Sequence, residues 1–246
     1  MLSFARMSIL DVARTPLLDV DEAAREAERL EAASAEEVLA WAADRFPGRV
    51  VLTCSWQRQS GVLVHMVATA GLDIRIVELD TGLLFPETLQ TRDRLVERYG
   101  VAVETIHPRR TVAEQAEKFG DALWERHPDR CCAMRKVEPL ERALAEADCW
   151  VSGIRREQSA TRATTRKVEI DPRRGVVKVA PLADWTKADV IGFVERHDIP
   201  TNPLYGQGFP SIGCWPCTRP VGEGEDERAG RWAGHGKTEC GLHVQG

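Results

Sequence analysis

The sequence predicts an α/β fold in which a mainly parallel sheet is covered by helices on both faces, followed by a mobile C-terminal tail. Two patterns lead to this. Short apolar runs of strand length alternate with longer helix-forming stretches, most opened by capping residues. That alternation then stops, and the last part of the chain is polar and rich in glycine. The chain has 246 residues, 43% of them hydrophobic, enough for one sizeable core.

Residues 19–33 are charged and helix-prone. Ser34 and Glu37 form a capping box for a helix reaching about Phe46. Residues 49–54 read as a buried strand, and 55–60 as a polar loop. Ser60 is expected to cap an apolar helix over 61–70. Residues 74–79 form the next strand and 80–85 a loop; Pro86 and Glu87 open a helix to Tyr99. A third strand covers 101–106, and Thr111 with Glu114 caps another helix. A helix over about 134–147 follows the paired cysteines Cys131 and Cys132, and 149–153 is a fourth strand. Short strands near 167–170 and 176–180 make a hairpin. Thr186 and Asp189 start a helix ending near His197. Strands alternating with helices imply a parallel sheet, which places ligands at the carboxyl ends of its strands. The loops 55–60, 80–85 and 153–162 should therefore converge on one site. The organisation expected is an N-terminal helical arm (1–33), an α/β domain (34–220) and a flexible segment (221–246) that carries Cys240.

Net charge is −5, so no overall basic field draws nucleic acid or a membrane surface. No apolar run approaches the roughly 20 residues that span a bilayer. Residues 1–12 do not read as a signal peptide, so a cytoplasmic protein is expected.

Seven cysteines are present: Cys54, Cys131, Cys132, Cys149, Cys214, Cys217 and Cys240. In a reducing compartment they are thiols or metal ligands. Cys54 and Cys149 sit in apolar strands and read as core residues. The pair Cys131-Cys132 and the Cys214-x-x-Cys217 pair supply four thiolates, which suit tetrahedral zinc or an iron–sulfur cluster. Adjacent cysteines strain around one zinc ion, whereas a four-iron cube offers each thiolate its own vertex, which favours the cluster modestly. Lys136 follows Cys132 by four residues and shares its helical face, where it can bridge a cluster and an anionic substrate. Cys240 stands alone in the tail beside Lys237 and His243, cations that favour a thiolate. Hydroxyl and amide groups in Ser55-x-Gln57-x-x-Ser60, at a helix start, suit a phosphate or sulfate. Arg162, Arg228 and Arg231 add cations.

This combination resembles the assimilatory sulfonucleotide reductases, which have the adenine nucleotide α-hydrolase-like (Rossmann-like) fold. The resemblance runs from about Val50 to His243. It rests on Ser55-Trp-Gln-x-x-Ser60, Leu79-Asp-Thr-Gly82, Phe85-Pro-Glu-Thr88, Gly153-Ile-Arg-Arg-Glu-Gln-Ser159 and Glu239-Cys-Gly-Leu-His243. Members with both cysteine pairs resemble adenosine 5′-phosphosulfate (APS) reductases that carry one [4Fe–4S] cluster per subunit, here on Cys131, Cys132, Cys214 and Cys217. The resemblance implies that Cys240 attacks sulfate sulfur, that AMP leaves, and that thioredoxin (or glutaredoxin) releases sulfite from the resulting S-sulfocysteine. It implies that Ser55, Gln57 and Ser60 form a modified phosphate loop. Leu79 and Gly153 would contact adenine through their backbone, and Lys136 would link cluster and substrate. Arg162, Arg228 and Arg231 would hold the phosphosulfate, and His243 would join the binding site. One departure is the bulky, basic Trp56-Gln-Arg-Gln59, which keeps 3′-phosphoadenosine 5′-phosphosulfate (PAPS) in play as a substrate. A tRNA-thiolating ATP pyrophosphatase on the same fold would want an S-G-G-x-D-S loop, which is absent here. A non-catalytic zinc module on nucleic acid leaves Cys240 unexplained. A homo-oligomer is compatible with all of this.

Overall fold

The strand β1 (Val50–Cys54) shows in five residues how the sheet is built. In the computed structural model, which describes residues 18–222, 224–237 and 239–243, Val50, Leu52 and Cys54 face one apolar core, and Val51 faces another. This is the period-2 alternation of a strand buried on both faces. Each fully buried Val or Leu contributes roughly 1.5–3 kcal/mol, so β1 is fixed from both sides. β2 (Arg75–Leu79) and β4 (Cys149–Val151) flank it in parallel. β3 (Val103–Ile106) continues beyond β2. β6 (Val176–Val179) runs parallel to β4, and β5 (Val168–Asp171) closes the edge antiparallel to β6, as a hairpin requires. The order is β3-β2-β1-β4-β6-β5. The chain moves outward from β1 to β3 and then returns to β4 on the other side of β1. The point between β1 and β4 is therefore the crevice where such sheets bind ligands.

The larger core packs helices α1 (Val20–Leu30), α2 (Ala35–Arg45), α3 (Arg58–Thr69) and α9 (Lys187–Arg196) on one face. The expected capping boxes at Ser34/Glu37, Thr111/Glu114 and Thr186/Asp189 are all formed. α1 is held by Asp19, whose side chain accepts from the Glu22 amide at 2.7 Å. It buries Ala23, Ala27 and Leu30 and packs on β5. The part of the predicted arm before residue 18 lies outside the described residues, as does the stretch read for a signal peptide. α4 (Pro86–Tyr99) begins at the proline and runs to Tyr99, as predicted, and left-handed Gly100 ends it. α5 (Val112–Phe119) and the short α6 (Leu123–Arg126) lead to the cysteine pair.

Two expectations need correction. A helix does follow the paired cysteines, but they are themselves helical and the helix after them is not one regular α-helix from 134 to 147. α7 (Pro128–Cys132) passes into a π-helical turn (Ala133–Val137) and then into α8 (Glu138–Ala143). Pro139 has no N–H to continue an α-helical ladder, and a widened turn fits just before it. Ser60 is not a helix cap either. α3 starts at Arg58, so Ser60 lies in its first turn, and its hydroxyl accepts from the Ser55 amide of the preceding loop at 3.0 Å.

On the sheet's other face, α8 covers a smaller core of Val51, Val77, Trp150 and Val176, with Leu242 of the tail packed against it. The segment expected to be mobile is thus folded back on the sheet in the residues described here. Among the described residues no helix is long and apolar enough to cross a membrane.

Candidate active site

The carboxyl ends of β1, β2 and β4 open into one cavity. Its walls include Ser55, Gln57 and Ser60 after β1, Leu79 and Thr81 at the end of β2, and Ser152, Gly153 and Arg162 after β4. Lys136, Arg228, Arg231, Cys240 and His243 complete it. Every nucleotide-site residue expected from the sequence therefore reaches one space, although these residues span nearly 190 positions.

The loop after β1 is shaped from below. Trp56 has a left-handed backbone, φ 58°, a conformation that costs an ordinary residue of order 1–3 kcal/mol. Its buried indole donates to Glu78 Oε2 at 2.7 Å. The other Glu78 oxygen accepts from Arg92 at 2.9 Å and Thr105 at 2.7 Å. Gln57 accepts from the Ile212 amide at 3.0 Å, tying the loop to the chain before Cys214. Arg58 turns away from the cavity; its guanidinium lies 3.6 Å from the centroid of the Tyr205 ring. Gln59 lines the cavity.

The cations come from three elements. Lys136 sits in the π-helical turn. Burial opposes its charge, but the sulfurs of Cys214 and Cys240 outweigh burial and raise its pKa. Arg162 is buried and gives its Nε and Nη2 to Glu239 at 2.9 and 2.8 Å and its Nη1 to Gln158 at 2.5 Å. Arg228 reaches the same carboxylate at 3.3 Å. Burial lowers Arg228 to about 10, so it stays protonated at neutral pH. Arg231 donates to Ser211 and to the Ile212 carbonyl at 3.2 and 3.3 Å. It fits only because residue 213 is glycine: a Cβ there would lie 2.2 Å from an Arg231 nitrogen. Among the described residues, the buried polar atoms Ser152 Oγ, Arg231 Nε and His243 Nδ1 have no hydrogen-bond partner. Buried polar groups are rarely left unpaired, so these three, all on cavity residues, are ready to meet a polar ligand.

The tail brings Cys240 in through several contacts. Lys237 pairs with Asp129. Glu239 holds Arg162 and Arg228. The Leu242 carbonyl accepts from Arg174 at 3.2 Å. His243 stacks on Trp150 with centroids 5.0 Å apart and planes 6° from parallel. Burial, then the positive charges of Arg162, Lys178, Arg174 and Arg228, hold His243 well below the usual histidine pKa. At neutral pH it is therefore neutral, which corrects the expectation that it serves Cys240 as a cation.

A second, smaller cavity adjoins the first. Cys131, Cys132, Cys214 and Cys217 all line it, with Leu83, Trp124, Pro128 and Trp232 as apolar wall. Lys136 and Arg231 line both cavities. Among the described residues no three His, Cys, Asp or Glu side chains gather closely enough to chelate one ion. The four cysteines instead share the lining of this one small cavity. Burial first, and then neighbouring sulfurs, push Cys131 up to about 11 and Cys217 up to about 12. Two polar contacts to sulfur are in place: Thr81 Oγ1 lies 3.3 Å from Cys214 Sγ, and Gln115 donates to Cys131 Sγ at 3.9 Å. Buried Arg135 braces this shell by donating to the Thr81 carbonyl at 2.7 Å and to Gln115 Oε1 at 3.2 Å. Sequence reasoning missed Thr81, Gln115 and Arg135. Thr81 lay in a loop already expected at the site, but nothing in the sequence marked Gln115, an ordinary helical position.

The sequence profile of the phosphoadenosine phosphosulfate reductase domain matches residues 49–220. The chain belongs to this family. Among its relatives, the adenosine 5′-phosphosulfate reductase of Streptomyces coelicolor is 49% identical over 90% of this chain and 93% of its own length. The protein of that name from Halalkalibacterium halodurans is 45% identical over 87% of this chain and 93% of its own. The phosphoadenosine 5′-phosphosulfate reductase of Gloeobacter violaceus is 44% identical over 93% of this chain and 97% of its own. Among solved structures, the phosphoadenylyl-sulfate reductase of Candida auris superposes with a TM-score of 0.75 at 27% identity, covering 84% of this chain and all of that one. The adenine nucleotide α-hydrolase-like fold read from the motifs is therefore the fold of this family.

Proposed function

We propose that this member of the family reduces APS to sulfite and AMP, with Cys240 as nucleophile and thioredoxin, or a glutaredoxin, as electron donor. The observation that carries the reading is that Cys240 opens into the cavity that also holds the β1 loop, Arg162, Arg228, Arg231 and Lys136. A nucleophile and an anion-binding set in one space suit displacement at the sulfur of a phosphosulfate. The names of the Streptomyces and Halalkalibacterium relatives agree with this substrate.

In the first step the Cys240 thiolate forms a bond to the sulfate sulfur, and the bond from that sulfur to the bridging phosphate oxygen breaks. AMP carries away the electron pair, and Cys240 becomes S-sulfocysteine. The arginines and Lys136 hold the negative oxygens in place and stabilise the charge gathering on the leaving phosphate. In the second step a donor thiolate attacks Cys240 Sγ and sulfite leaves. The donor's second thiol then frees Cys240, and the donor ends as a disulfide. Cys131, Cys132, Cys214 and Cys217, with Thr81 and Gln115 beside two of the sulfurs, are the thiolate set that would hold one [4Fe–4S] cluster. Such a cluster would supply fixed charge and rigidity beside Lys136, which lines both cavities. The cytoplasm supplies the reducing conditions that this donor and the free thiols need.

PAPS is a second reading, favoured by the name of the Gloeobacter relative. Arg58 is no argument for it, because that side chain is spent on Tyr205. A side-by-side assay with reduced thioredoxin decides. Sulfite release from APS should exceed that from PAPS, and AMP should protect Cys240 from alkylation better than 3′-phospho-AMP. The reverse order in both measurements would overturn the substrate assignment.

A further inference from the structure

The anion-binding arginines already hold an anion, and it belongs to the tail. Glu239 accepts from Arg162 Nε and Nη2 at 2.9 and 2.8 Å and lies 3.3 Å from Arg228. Ser159 and Thr161 place hydroxyls 3.4 and 3.5 Å from the same carboxylate. With Gln158 on Nη1, each of the three Arg162 nitrogens has an acceptor. An incoming phosphosulfate must therefore share or take these donors, and its charge repels the carboxylate at close range. Glu239 immediately precedes Cys240, so whatever moves this carboxylate moves the thiol. Lys237 on Asp129 and Leu242 on Arg174 tether the tail on either side. They allow Glu239 to exchange partners without full release of the tail.

We propose that Glu239 is an internal counter-anion that occupies the arginine pair and holds Cys240 at the cavity until a substrate anion displaces it. This rests on the proposed binding of a phosphosulfate by Arg162 and Arg228. Glu239 is a positioning residue, acting through the arginines on the placement of the thiol. Its replacement should therefore act on substrate binding rather than on the bound complex. KM falls because the competing carboxylate is gone, and kcat changes little because Glu239 has already left the arginines once substrate is bound.

The test follows alkylation of Cys240 by iodoacetamide, read on the peptide that carries it, at fixed pH and with inorganic pyrophosphate as probe. In the wild-type chain pyrophosphate should speed alkylation roughly 5- to 150-fold, the usual span of coupling between two sites. Glu239→Gln should be fast without pyrophosphate and indifferent to it. Glu239→Asp, which keeps the carboxylate, should remain slow and responsive. The wild-type titration stands even if Glu239→Gln does not fold. Wild-type alkylation that is unchanged or slowed by pyrophosphate, or a Glu239→Gln protein that still responds, would overturn the proposal. Failure of APS turnover with an intact pyrophosphate response would overturn the substrate reading and leave the counter-anion in place. Turnover of APS without that response would do the opposite.

Discussion

Trp56 sits in a left-handed backbone conformation, and Glu78 is what holds it there. The buried carboxylate has three donors: the Trp56 indole, Arg92 and Thr105. Glu78→Ala would strand the indole N–H and release the loop that carries Ser55 and Gln57. The expected cost is about 2–4 kcal/mol of stability, since one partner of a buried charged network is removed; urea unfolding measures it. A midpoint equal to wild type would show that the loop is held by something else. Cys240→Ser tests the chemistry directly. It should still bind APS by calorimetry, form no sulfite adduct from ³⁵S-labelled APS, and lose turnover by about 10⁴-fold or more. An adduct retained on this variant would move the nucleophile to another cysteine.

Among the secondary-structure elements, the π-helical turn and the tail do the placing. The turn at Ala133–Val137 sets two consecutive cations to different tasks: Arg135 is buried against Thr81 and Gln115, and Lys136 reaches both cavities. The docked tail carries a pH dependence whose sign follows from His243. A histidine with a lowered folded pKa takes up its proton more readily when the tail is undocked. Docking is then fully stable above the ordinary value near 6.5 and weakens as pH falls from there toward the depressed value. Glu239 is different. Burial opposes its charge, but the bond from Arg162 and the nearby arginines hold its pKa below the usual range. It gives way only in stronger acid. Hydrogen exchange of residues 239–243, corrected for intrinsic rates, should show opening that begins below about pH 6.5. His243→Phe keeps an aromatic on Trp150 and should abolish this onset; an unchanged profile would locate the titration elsewhere.

For the whole molecule, the prediction concerns the cavity with four thiols. Protein prepared without oxygen should be brown and carry about four irons per chain. Cys217→Ala should lose iron and lower the thermal midpoint together, because a bound group contributes its affinity to folding. A colourless, zinc-loaded wild-type protein would refute the cluster. The larger cavity and the cysteine cavity share Lys136, Arg231 and Trp232. Loss of iron is therefore expected to weaken nucleotide binding as well.

The sequence alone determined the parts whose signals are local. Capping boxes, Pro86, the alternation in β1 and the apolar run before Gly153 each depend on neighbours a few residues away. The strands, most helices and the convergence of loops at the strand ends followed from them. The residues expected to bind substrate all line the larger cavity. Tertiary structure decided what depends on distant partners. Trp56 turned into the core because Glu78 waits there, on another strand. His243 lost its charge because burial and four cations surround it once the tail folds back. Glu239 found Arg162 across 77 residues. Spacing along the chain determines backbone conformation, but burial and charge pairing arise only when remote segments share one low-dielectric space.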